Sequence, residues 1–163
     1  MTEITSDFQF IDHRINSLKV KNSFSDIPNE HILQLSLGYK ETPAEKATED
    51  GNYLGRLRLM VRCSGQDPAK EGAEISIQLV VEGLFCASED TMDIDVFNEM
   101  LVINGLATLY SIVRSIIISV SAQCCTNGQI RVPMLNMVEV HRACEESQRE
   151  SATEADERWE NQF

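Results

Sequence analysis

Basic residues are scarce in this chain, with 14 lysines and arginines against 26 aspartates and glutamates, a formal net charge of -12 over 163 residues. A field of that sign disfavours phosphate backbones and anionic bilayers, so neither nucleic acid nor membrane insertion is expected. Signature motifs are lacking too. No P-loop, G-x-G-x-x-G, G-x-S-x-G or H-E-x-x-H pattern occurs, which removes the usual anchors for phosphate, dinucleotide, acyl and zinc chemistry. His13, His31 and His141 fall in separate segments, so no two histidines share one. No metal, no cofactor and no enzymatic activity are therefore expected. Cys63, Cys86, Cys124, Cys125 and Cys144 form no C-x-x-C pair, and an odd number fits reduced thiols better than a disulfide framework. The opening stretch, Met1 to Arg14, has neither the basic segment nor the apolar run of a secretory signal. The expected location is the cytoplasm.

What the chain does contain is period-two alternation. Phe8 to Ile11 and Leu18 to Lys21 flank a polar middle, and the apolar phase shifts between Ile11, Ile15 and Leu18, as a bulge in one bent strand would cause. After the turn signal at Ser25 to Asn29, Leu33, Leu35, Leu37 and Tyr39 alternate with polar or small residues as a second strand. Residues 41 to 52, with Pro43 and Glu49-Asp50-Gly51, read as a solvated connection. In a third strand Leu57, Leu59, Val61 and Cys63 share a face opposite Arg56, Arg58, Met60 and Arg62. A turn between Gly65 and Gly72 leads to a fourth, with Ile75, Ile77, Leu79 and Val81 on one side. The arginines form either an anion patch or, more plainly, cross-strand pairs with Glu74 and Glu82.

A sheet with one apolar face needs a cover. Beyond Leu84-Phe85-Cys86 and an acidic crossover, a helical pattern begins at Val96, Phe97, Met100 and Leu101, with Asp93 or Asp95 as its cap. Asn104-Gly105 predicts a kink, after which apolar residues recur at three- and four-residue steps to Val120. Asn104, Gly105 and Arg114 interrupt the apolar run, so a helix buried in a protein assembly is expected and not a membrane span. Its apolar band is wider than one sheet face can cover, because Leu109, Ile112, Ile116 and Ile118 accompany Val113, Ile117 and Val120. Self-association through Leu109, Ile112, Val113, Ile116, Ile117 and Val120 is the expected consequence. An extended stretch from Ile130 past Pro133 and a short terminal helix complete an α+β fold of four antiparallel strands and one long helix. One domain is expected over residues 1–143, followed by an acidic, mobile tail over residues 144–163.

The element order and several segments resemble the SecB export chaperones. Phe8-Gln9-Phe10 is similar to that family's opening F-x-[IF] strand, and Gly83-Leu84-Phe85 to the G-[IV]-F end of its fourth strand. The run from Asn104 to Ile117 resembles its helix segment N-x-x-x-x-L-F-P-Y-x-R-x-x-I, with Ser111 in the proline place, and Pro133 to Met137 resembles L-P-P-[VI]-N-F. The resemblance implies a dimer of dimers that holds unfolded polypeptides or preproteins for export in apolar grooves, without nucleotide. Candidate groove residues are Leu84, Phe85, Met92, Ile94, Val96, Phe97, Met100, Leu101 and Tyr110, for each of which core packing is the alternative. The family's motor partner, SecA, is implied too. Aligned on Phe24 and Gly83-Leu84-Phe85, the acids that contact it are replaced by Lys21, Ser25 and Gln78, with only Asp26 and Glu82 beside them. That departure fits SecB-like proteins dedicated to one client, such as the antitoxin of a toxin-antitoxin pair. A small-molecule binding domain using the same apolar surface is the reading from a different class.

Overall fold

A computed structural model describes residues 6–24, 32–67, 74–126 and 128–146. Four strands, β1 (Gln9–Asn22), β2 (Ile32–Thr42), β3 (Asn52–Gln66) and β4 (Glu74–Ser88), precede a 31-residue helix, α1 (Ile94–Cys124). The strands form one antiparallel sheet in the order β1-β4-β3-β2. A short helix, α2, spans residues 137–146. The fold is the α+β arrangement that alternation and period led us to expect.

β1 explains its own broken pattern. Its register against β4 shifts between Phe10 and Asp12 and again between Ile15 and Ser17, so Ile11 and Asn16 are the extra residues of two bulges. Each bulge restores the face. Phe10, Ile15, Leu18 and Val20 pair with Phe85, Val81, Leu79 and Ile77 and so share one side of the sheet with them. β3 places Leu57, Leu59, Val61 and Cys63 on that same side, and β2 adds Leu35, Leu37 and Tyr39.

α1 packs on this apolar side, against β3 and β4. Phe97, Leu101, Leu106, Leu109, Val113 and Ile117 are fully buried and recur at helical spacing, and each such side chain contributes about 1.5–3 kcal/mol. Glycines let the two layers meet. A Cβ at Gly55 would lie 2.7 Å from Leu101, one at Gly83 2.8 Å from Leu109, and one at Gly105 3.0 Å from Leu57. Gly105 therefore serves close packing, and α1 runs through the expected kink at Asn104-Gly105 without interruption. Asp93 is the N-cap residue, but its side chain makes no capping hydrogen bond; the first turn is closed by the Phe97 N–H donating to the Asp93 carbonyl at 2.9 Å.

The chain then doubles back along α1 as an extended segment. The Ser121 hydroxyl accepts from the Ile130 N–H at 2.9 Å, Arg114 Nε donates to the Val132 carbonyl at 3.0 Å, and the Tyr110 hydroxyl donates to the Pro133 carbonyl at 2.8 Å. Ile130 and Val132 are buried as a result. The chain divides into two compact units, the first ending at Pro133 and the second beginning at Met134. In the second, the Asn136 side chain accepts from the Val138 N–H at 3.1 Å, as a helix N-cap does, and Arg142 pairs with Glu139 one turn back. Most of the acidic tail expected from residue 144 lies outside the described residues, as do Ser25, Asp26 and His31.

The interlayer glycines give a direct test. Gly83→Val should lower stability by about 1–3 kcal/mol in chemical denaturation, because the added atoms meet Leu109 and Phe85. Gly38→Ala, where a Cβ finds only Met60 at 3.5 Å, should leave the denaturation midpoint nearly unmoved.

Candidate functional site

The apolar side of the sheet is four strands wide, and α1 covers its middle. Phe85, Leu79 and Val81 on β4 are buried, but on the edge strand β1, Phe10, Ile15, Leu18 and Val20 are each 38 to 48% exposed. On the other edge, Leu33, Leu35, Leu37 and Tyr39 of β2 are half-buried. A covered centre with two open apolar margins is the geometry of a fold that expects further cover.

The start of α1 lies beside one margin. The Asn98 amide clips the segment after β2 to the helix, accepting from the Ala44 N–H at 2.9 Å and donating to the Ala44 carbonyl at 3.1 Å. Met92, Ile94 and Met100 are half-buried and Val96 is exposed. Phe85, Phe97 and Leu101 are instead fully enclosed, and Tyr110 nearly so. These four form the floor of the packed interior, with Phe97 in aromatic contact with Tyr53 and Phe8, and Phe85 with Phe8 and Phe10. Burial also pushes the Tyr110 phenol above its ordinary range. Leu84 points to the opposite side of the sheet, in register with Asp12 and Arg56. The structure thus gathers Met92, Ile94, Val96 and Met100 at the helix start and separates them from Leu84.

The expected association residues divide by face. Leu109, Val113 and Ile117 are buried on the chain's own sheet, whereas Ile112, Ile116 and Val120 are half-buried on the flanks of α1. Along its most exposed line run Ala107, Ser111, Ser115, Ser119 and Ala122. The Ser111 and Ser115 hydroxyls donate to the carbonyls of Ala107 and Ser111, four residues back, at 2.9 and 3.1 Å. Spent on their own helix, these hydroxyls leave a narrow ridge that is cheap to bury. By length and composition α1 would also cross a membrane, yet its apolar stripe lies on the sheet.

On the polar side, Glu82 sits between Arg14 and Arg58, with 2.7 Å contacts to both. The hydrogen bond from Arg58 holds its carboxyl below the usual range against the opposing effect of burial, and the charge of Arg14 adds to the lowering. Of the cross-strand pairs expected for the β3 arginines, Arg58–Glu82 forms, while Glu74 pairs with Lys21 at 2.9 Å. Among the described residues no three His, Cys, Asp or Glu side chains gather as a metal site. Cys63 is fully buried, and burial pushes its thiol up to about 11.

No protein-family model matches the sequence, and no curated protein does. Solved structures do match. One is the SecB-like chaperone Rv1957 of Mycobacterium tuberculosis, in complex with a ChAD peptide from the HigA1 antitoxin Rv1956. It superposes with a TM-score of 0.60 at 12% sequence identity, over 78% of this chain and 90% of that one. The fold is SecB-like. What the sequence did not reveal in this fold is the open inner face of β1 and β2, since strand alternation reports which residues share a side but not which strands lie at the margins.

Two outcomes follow from these environments. Ellman's reagent at pH 8 should leave Cys63 unlabelled in the native protein and label it on unfolding; native labelling would show the site to be open. For Glu82, whose folded-state pKa is depressed, the stabilisation is complete above the unfolded carboxyl pKa and is lost as pH falls through the lower folded value. Glu82→Gln should therefore lower the melting temperature at pH 7, and the gap to the parent protein should close towards pH 3.

Proposed function

We propose that this chain is the subunit of a cytoplasmic, nucleotide-independent SecB-like chaperone that binds unfolded polypeptide on the apolar margins of its sheet and at the start of α1. The observation that carries this reading is the surface the fold leaves open, namely Phe10, Ile15, Leu18 and Val20 on one edge, Leu35, Leu37 and Tyr39 on the other, and Met92, Ile94, Val96 and Met100 at the start of α1. Side chains of this kind give unfolded segments apolar contact with little demand on sequence, and methionines repack at low cost. A single contact is weak after ordering costs, so several tracks on one assembly raise the avidity for one client. Binding the unfolded state alone pulls a client away from folding.

Subunits associate through α1, with the ridge of Ala107, Ser111 and Ser115 admitting close approach and Ile112, Ile116 and Val120 packing beside it. A dimer of dimers would cover much of the open sheet and leave channels at its rims. Two observations favour a dedicated client over general export. Lys21 and Gln78 stand where the family resemblance puts motor-contacting acids, and Glu82 is held by two arginines and is not free to act as one. In addition, the chaperone of like fold is seen with an antitoxin peptide. General export to SecA is the second reading, favoured by the breadth of the open apolar surface.

In light scattering, the purified full chain should run as a multiple of 18.3 kDa, and Ile112→Asp combined with Ile116→Asp should drive it towards the single-subunit mass. Added in stoichiometric amounts, the parent protein should slow aggregation of its client from denaturant, and Val96→Asp with Met100→Asp should abolish most of that protection while leaving the mass unchanged. Equal protection of several unrelated proteins would decide for the general holdase, and protection of none would overturn both readings.

A further inference from the structure

The sheet face turned away from α1 has a charge opposite to that of the rest of the molecule. Among the described residues, seven of the chain's fourteen basic residues lie on it against three acids, Asp12, Glu74 and Glu82, in a protein of net charge -12. Register places these residues in rows across the strands. One row carries Arg14, Glu82, Arg58 and Lys40; the row two residues along carries Ser17, Val80, Met60 and Gly38; the next carries Lys19, Gln78, Arg62 and Ser36. An apolar row therefore lies between two cationic ones. Because Gly38 has no side chain, the middle row is a shallow hollow of about 390 Å³, walled by Ser36, Gly38, Met60, Arg62, Gln78 and Val80, and Met60 is 43% exposed within it.

Among the described residues the acids do not use up these cations. Glu82 engages Arg14 and Arg58, and Glu74 engages Lys21, but Lys19, Lys40, Arg56 and Arg62 are exposed and have no ion-pair partner among the described residues. Lys40 lies directly opposite Arg58, a like-charge placement that costs stability unless an anion relieves it. We infer that this outer face docks a short acidic segment of a partner polypeptide, with one apolar side chain seated in the hollow between Met60 and Val80 and carboxylates on either side reaching Lys40 and Arg62.

Spacing sets the sequence of that segment. Rows two residues apart are separated by roughly 6.6 Å, the same-face repeat of an extended chain. A segment lying along the strands thus meets cation, hollow and cation with acid, apolar residue and acid at every second position. A phosphate backbone has no apolar group at that interval, and beyond this face a long polyanion meets an acidic molecule. The face is also distinct from the margins assigned to unfolded clients, so the two sites fail separately.

The test is fluorescence anisotropy on the full-length protein with a labelled synthetic peptide containing the repeat Glu-Ser-Leu-Ser-Glu. The peptide should bind in a salt-sensitive manner, and versions with Leu replaced by Ser, or Glu by Lys, should not. Lys40→Glu and Arg62→Glu should each weaken binding by about tenfold or more, and Gly38→Val, which fills the hollow, should weaken it without changing its salt dependence. Circular dichroism melts matching the parent protein exclude unfolding as the cause, and undiminished aggregation suppression shows that the client surface is intact. Absence of peptide binding, binding indifferent to all three substitutions, or full displacement by a single-stranded oligonucleotide of equal charge would each overturn the assignment.

Discussion

A single helix laid across a four-stranded sheet leaves apolar side chains over, and the open surfaces of this structure follow from that mismatch. α1 reaches β3 and β4, the two central strands, and there the interior is packed to the point that glycines are needed where the layers touch. The edge strands β1 and β2 keep the same inward alternation without the cover. Burying that remainder against another subunit or a slack polypeptide is favourable at about 25 cal/mol per Å². The fold is thus a partial core that invites completion.

The sheet's two sides differ in chemistry. The inner side and the start of α1 offer apolar, methionine-containing surface that can repack against many sequences. The outer side is a rigid array of charges whose positions are fixed by strand register. Glu82, clamped by Arg14 and Arg58, ties β1, β4 and β3 together there and gives the basic face its fixed geometry. On the function proposed above, adaptable contact on one side would hold many conformations of a client, and defined contact on the other would recognise one partner.

Much of this was legible before any coordinates. The four strands and the long helix follow from period, and the stumble at Ile11, Ile15 and Leu18 announced a bent β1, which the structure resolves into two bulges. The pairing of β1 with β4 was not legible, since it joins segments far apart in sequence and no local pattern encodes it. Nor could period alone tell which side of an almost wholly apolar helix meets the sheet, and so Phe97, Leu101 and Tyr110 entered the candidate groove although they are enclosed. One signal was available. Gly55 and Gly83 interrupt the inner alternation, and Gly105 interrupts the helix; gaps of that kind mark where two layers touch. The arginines of β3 were legible as a patch, but the charge of the whole face needed the register that sets Lys19 and Lys40 beside them.

The most direct measurement places a photoreactive residue at Leu35, on the inner side of β2, and another at Gln78, on the outer side of β4, in the full-length protein, and adds a denatured client that has no acidic segment. Crosslinks to the client from position 35 and none from position 78 are the result this account predicts. Crosslinks from neither position, or from position 78 alone, would contradict the claim that the uncovered inner face is where an unfolded chain is held.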